Sequence, residues 1–172
     1  MRKILALPLF AVMLSGCQMM SESGILPDST TSTPSQNPNL VKRTVPFSAD
    51  EYARLEKTGT GTIKGQLYYS RNGQKITNEG ETVSVAPATA YAAEAADAAL
   101  AGKQIEPADP RAREYTHTAR TDSTGHFTVT GIPAGVFYVG SAVHLPDGTL
   151  SPFILKQVRL SEGQTKTIDL SR

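Results

Sequence analysis

The sequence predicts a mainly β fold: a seven-stranded antiparallel β-sandwich with one short N-terminal helix and a helical insertion. Three observations carry this prediction. Short runs of alternating apolar and polar residues recur from residue 61 to residue 170. Turn-forming clusters separate them, among them Asn72-Gly73, Asp122-Ser-Thr-Gly125, Pro133-Ala-Gly135 and Pro146-Asp-Gly148. Two stretches, residues 46–58 and 89–102, break the period of two and carry helix signals instead.

The first stretch of the chain is an export signal. Arg2 and Lys3 precede an apolar run, residues 4–14, that is too short to span a bilayer. Leu14-Ser15-Gly16-Cys17 follows, and it resembles a bacterial lipobox. That resemblance implies cleavage between Gly16 and Cys17 and acylation of the Cys17 sulfur and the new amino terminus. Several acyl chains hold a protein to a membrane where one binds reversibly. Gln18 after the cysteine, by similarity to Gram-negative lipoproteins, implies the outer membrane, with the protein facing the periplasm. Cys17 is the only cysteine, so an intramolecular disulfide and a cysteine-based zinc site are both excluded. The formal charge of +1, less the two cations Arg2 and Lys3, leaves −1 for the mature chain. A near-neutral chain has no electrostatic pull on nucleic acid, and no nucleic-acid partner is expected.

Residues 18–45 are rich in Ser, Thr, Asn and Pro and lack an apolar period, which predicts a flexible tether. The helix expected over residues 46–58 starts at Ser48, with Glu51 at capping-box spacing. Phe47 and Tyr52 have the spacing of a hydrophobic staple, and Gly59 is placed to close the helix. Its expected role is to pack Tyr52 and Leu55 on the sandwich or to cover a sheet edge.

The sandwich, residues 59–172, opens with a strand that turns Ile63, Leu67 and Tyr69 to one face, with Gly65 at an inward position. Val83 and Val85 mark the second strand. Next comes an insertion over residues 89–113: a Thr-capped, Ala-rich helix ending at Gly102, then a polar loop with Pro107 and Pro110. The third strand alternates Tyr115, His117 and Ala119 against Thr116, Thr118 and Arg120. Phe127 and Val129 define the fourth, and Phe137, Val139, Val143 and Leu145 the fifth. Ile154, Val158 and Leu160 define the sixth, and Ile168 and Leu170 the seventh.

The stretch Thr-Asp-Ser-Thr-Gly-His-Phe, residues 121–127, with Gly-Ile-Pro-Ala-Gly, residues 131–135, resembles the carboxypeptidase regulatory-like domain, a β-sandwich of the transthyretin (prealbumin-like) type. The resemblance covers residues 61–170 and departs from the family's short form at the insertion. It implies an accessory or adhesive module.

No catalytic set stands out. His117, His126 and His144 are the only histidines; His117 and His126 flank a tight turn and are too few for a metal site. No Ser-His-Asp order, paired carboxylates or phosphate loop is present, and the hydroxyisourate hydrolase of the same sandwich class ends in Tyr-Arg-Gly-Ser, absent here. The chain is therefore expected to be non-enzymatic and to need no cofactor or metal. Two functions stay open: docking on an envelope protein, or binding a small molecule or glycan. Tyr91, Leu100 and Tyr115 are the candidate contact residues. The glycan reading requires aromatic residues gathered at one end, with Tyr68 and Tyr69 as further candidates.

Overall fold

A computed structural model describes residues 38–172. The expected leader, the lipobox at Gly16 and Cys17, and the expected tether up to residue 37 lie outside the described residues. In chain order the elements are β1 (Leu40–Val41), α1 (Ala49–Ala53), β2 (Gly61–Arg71), β3 (Gln74–Ile76), β4 (Thr82–Pro87), α2 (Ala90–Leu100) and β5 (Gln104–Ile105). Then follow α3 (Pro110–Arg113), β6 (His117–Arg120), β7 (His126–Ile132), β8 (Gly135–Ser141), β9 (Ile154–Leu160) and β10 (Thr165–Ser171).

Two sheets of the expected sandwich face each other. In the first, β2 pairs with β7 and β10, and β3 extends its far end as a hairpin. The second has the order β6-β4-β8-β9. Alternation turns Ile63, Leu67, Phe127, Val129 and Leu170 of one sheet against Val83, Val85, Phe137, Val139 and Val158 of the other, all at most 3% exposed. These are the residues that the period of two assigned inward. Leu145, also assigned inward, lies beyond the end of β8 and is only half-buried.

One pairing differs from the antiparallel expectation. β10 runs parallel to β2, from Thr165 opposite Thr62 to Ser171 opposite Tyr68. The Ser161–Gln164 turn carries the chain from the second sheet to the first, so β10 does not fold back on β9 as a hairpin. The Asp122 turn also changes sheet: β6 belongs to the second and β7 to the first. Gly65 permits the close approach of β10, because a Cβ there would lie 1.9 Å from the Ile168 carbonyl oxygen. Asn72, at φ 53°, and Gly73, at φ 78°, form the β2–β3 turn, where both central residues take the left-handed conformation.

The two outer faces are unlike. α2 lies across the outer face of the second sheet, not along its edge. Ala92, Ala95, Ala96 and Ala99 recur at helical spacing and face Ala86, Gly140 and Leu155 across a slot of about 130 Å³. Small side chains let the helix come this close, and Gly140 makes room for Phe153: a Cβ there would sit 2.6 Å from its ring. No helix covers the outer face of β10-β2-β7 among the described residues. No described helix is long and apolar enough to cross a membrane.

Candidate functional site

The fixed part of the chain begins before the boundary expected at residue 45. β1 pairs in parallel with β5, Leu40 opposite Gln104 and Val41 opposite Ile105. The residues after it form a strap that is clamped to the insertion. The Arg43 amide donates to Glu106 Oε2 at 3.0 Å, its Nε to the Glu106 carbonyl at 3.0 Å and its NH1 to the Tyr91 carbonyl at 3.2 Å. Glu94 Oε1 accepts from the amide and hydroxyl of Thr44, both at 2.6 Å, and from the Val45 amide at 3.2 Å. These bonds, the Thr44 hydroxyl foremost, hold the Glu94 carboxyl below the usual carboxylate range.

α1 follows the strap. Ser48 caps it, accepting from the Glu51 amide at 3.3 Å. The helix is one turn long and ends in a right-handed Arg54, so Gly59 does not close it as expected. Gly59 serves a tight passage instead: its amide donates to the Gly131 carbonyl, and a Cβ would lie 2.3 Å from Pro133 Cα.

The helix buries its face against the insertion. Tyr52, Tyr91 and Ala112 form a second small core, with Val45, Phe47, Leu55, Ala108 and Tyr115 packed on it. Phe47 and Tyr52 meet at 4.8 Å between centroids, as the staple spacing requires. Tyr52 meets Tyr115 edge-on at 5.2 Å and Tyr91 at 6.4 Å. Both buried hydroxyls are partnered: Tyr52 with Thr89 Oγ1 at 3.0 Å, and Tyr91 accepting from the Asp109 amide at 2.8 Å. Burial pushes the Tyr52 hydroxyl above its ordinary pKa. Thr89 also caps α2, so α1 and the insertion share one hydrogen-bonded joint.

Cations close the ring faces. Arg43 lies 4.2 Å from the Tyr91 centroid, Arg111 4.3 Å from Phe47 and Lys57 5.2 Å from Tyr115. Each cation has an acidic partner: Glu94 for Arg43, Asp109 for Arg111 and Glu114 for Lys57. Arg111 binds Asp109 through two nitrogens and holds its carboxyl down at about 2. Two shallow grooves flank the cluster: one of about 410 Å³ between Arg43, Phe47 and Asp109, and one of about 190 Å³ between Phe47, Lys57 and Tyr115. The arrangement fixes the strap, α1 and the insertion as one body. Its ring faces and charges are already partnered within the chain.

The sequence-predicted contact residues therefore separate. Tyr91 and Tyr115 come together through Tyr52, but as parts of a core. Leu100 lies at the far end of α2, 44% exposed, beside a groove of about 410 Å³ lined by Phe153, Leu155 and Arg172. Tyr68 and Tyr69 stand on β2, outside the cluster, with Lys75 4.1 Å from the Tyr68 ring. His117 and His126 lie on different sheets. The Nε2 of His117 is buried without a hydrogen-bond partner, whereas His126 is exposed beside Thr124. His144 binds Glu81, Nδ1 to Oε1 at 2.9 Å. Among the described residues, no group of three or more His, Cys, Asp or Glu is placed to hold a metal ion. Sequence reasoning did not find Arg43, Glu94 and Arg111. Arg43 meets Glu94 across 51 positions and Glu106 across 63, and Arg111 meets Phe47 across 64, so these contacts leave no local signal; Phe47 and the Ser48 cap of α1 alone marked the region.

A solved Pseudomonas aeruginosa protein, provisionally named a carbohydrate-binding protein, is 30% identical to this chain, with a TM-score of 0.58. The match covers 74% of this chain and 99% of that one. The chain belongs to that protein's family. A Bacteroides uniformis protein with the same provisional name is 10% identical, covering 66% of this chain and 41% of its own, with a TM-score of 0.37. GBS52, the minor pilin of Streptococcus agalactiae, is 12% identical, covering 66% and 44%, also at 0.37. Scores that low carry no argument. No family model and no curated protein matches the chain.

Proposed function

We propose that this protein is a non-enzymatic glycan-binding accessory module of the cell envelope, held at a membrane by acyl chains on Cys17. The observation that carries the reading is membership of the family of the Pseudomonas protein, over nearly the whole of that protein and under a name that specifies carbohydrate binding. The sandwich body supports the reading in one respect: two sheets packed on a common core hold their surface side chains in fixed register. The closer relationship to carboxypeptidase regulatory-like domains is part of the same proposal and rests on the motifs at residues 121–127 and 131–135. The outer-membrane location, facing the periplasm, rests on the lipobox and Gln18.

One observation favours docking on an envelope protein as a second reading. Leu100 is 44% exposed beside the apolar rings and chains of Phe153 and Leu155. A panel of immobilised neutral, N-acetylated and acidic glycans separates the two. Saturable binding to one glycan class supports the module. Binding to none, with a discrete envelope protein crosslinked at a Leu100→Cys probe, moves the function to docking. Cys17→Ser tests the anchor: the variant leaves the membrane fraction if the reading holds and stays there if it fails.

A further inference from the structure

Among the described residues, no helix covers the outer face of the first sheet, which is polar, and its side chains are set by register. Thr165, Thr62 and Thr130 stand in one row across β10, β2 and β7, and Thr167, Lys64 and Thr128 in the next. Neighbouring strands place hydroxyls about 4.8 Å apart within a row, and alternate residues place rows about 6.7 Å apart. Among the described residues, none of these five threonine hydroxyls hydrogen-bonds to another group of the chain. By contrast, around the Tyr52–Tyr91 cluster the hydroxyls of Tyr52 and Tyr91 are hydrogen-bonded and the cations are paired, although Glu94 Oε2 is buried without a hydrogen bond, 3.9 Å from Arg43.

We propose that this threonine face is the surface that grips the glycan, and that its ligand is an extended, uncharged polysaccharide chain. The proposal rests on the glycan-binding reading and places that binding on residues distant from the aromatic cluster. Charge selects the ligand class. Around the two threonine rows, Lys64 and Asp169 are the charged residues pointing outward, with His126 beside them, and their formal charges cancel; Lys75 of β3 stands at the far end of the face over the Tyr68 ring. A face so balanced has no attraction for nucleic acid or for an acidic surface. The two threonine rows hold no Val, Ile, Leu or Phe, so the apolar centre of a stable protein interface is missing. What remains is a lattice of donor–acceptor hydroxyls on a stiff backbone. A chain of sugar rings, whose hydroxyls repeat along its length, matches such a lattice group for group. Hydroxyls already fixed on strands lose little freedom on binding, which favours many weak bonds in parallel.

The test uses the whole purified protein and six-unit linear oligosaccharides of β-linked glucose and of β-linked N-acetylglucosamine, with affinity measured by calorimetry. The triple substitution Thr128→Val, Thr130→Val, Thr167→Val removes three hydroxyls while keeping β-branched shapes that suit strands. The matching triple to Ser keeps the hydroxyls. Each lost bond is modest, and three together lower affinity about tenfold or more. The Ser triple retains binding, as does Phe47→Ala at the aromatic cluster. If wild-type protein binds and the Val triple, folded by circular dichroism, binds within about twofold of it, the threonine face is not the site and only the broader glycan reading survives. If wild-type protein binds only acidic glycans of the immobilised panel, the inference fails and the broader glycan reading survives; if it binds no glycan of the panel, the reading and the inference both fail.

Discussion

Replacing Tyr52 by alanine opens the joint between α1 and the insertion while leaving the main sandwich core untouched. The side chain is 3% exposed and meets Phe47, Tyr91 and Tyr115. Removing a buried aromatic ring costs about 3–5 kcal/mol. The lower end of that range applies here, because the small cluster lies near the surface and can partly collapse. Tyr52→Phe isolates the hydroxyl bond to Thr89 Oγ1 and costs about 1 kcal/mol. The ring itself therefore accounts for about 2 kcal/mol or more. Urea unfolding followed by tyrosine fluorescence reads the totals, since the chain has six tyrosines and no tryptophan. Hydrogen exchange reads the location. Protection falls in residues 40–58 and 89–115, because Thr89 loses its partner and the strap loses its backing, while β2, β4 and β8 keep theirs. A Tyr52→Ala protein within about 0.5 kcal/mol of wild type refutes the second core as a source of stability. Equal loss of protection in β2 and β8 refutes its independence.

Gly65→Ala drives a Cβ into the Ile168 carbonyl and costs about 1–3 kcal/mol, with exchange faster in β10 than in β8. The Asp109–Arg111 pair weakens in acid. Asp109 is held at about 2, below its ordinary value, so its contribution is complete above about pH 4 and disappears as the pH falls through about 2. Exchange in residues 109–113 rises over that window, and Asp109→Asn removes that change. Glu94→Gln keeps the size of the side chain but loses the charge that Thr44 and Val45 bind, so protection of residues 44 and 45 falls at neutral pH with no change in β4. An unchanged exchange profile in Glu94→Gln counts against the clamp.

The sandwich could be read from the sequence because alternation is a local property. Val83 and Val85, or Phe127 and Val129, declare one face of a strand wherever the strand sits. Turn pairs such as Asn72-Gly73 declare the ends, and the Thr89 and Ser48 caps declare the helix starts. The pairing partners could not be read this way. Whether β10 returns beside β9 or crosses to β2 depends on which sheet edge accepts it, and four turn residues are compatible with either. Tyr91, Leu100 and Tyr115 illustrate the same limit for the site. Their types fit a contact surface equally well, but tertiary packing buried the first, exposed the second and set the third against Lys57.

Sequence alone determined that the chain folds as strands with apolar inner faces and where the helices α1 and α2 start. Each of these depends on residues within a few positions of one another. Tertiary structure decided that α2 covers one sheet while no described helix covers the other, that Arg43 and Glu94 tie the strap to the insertion, and that threonines from three separate strands stand in register. Those arrangements join residues up to 103 positions apart, as Thr62 and Thr165 are, and only the folded backbone brings them side by side.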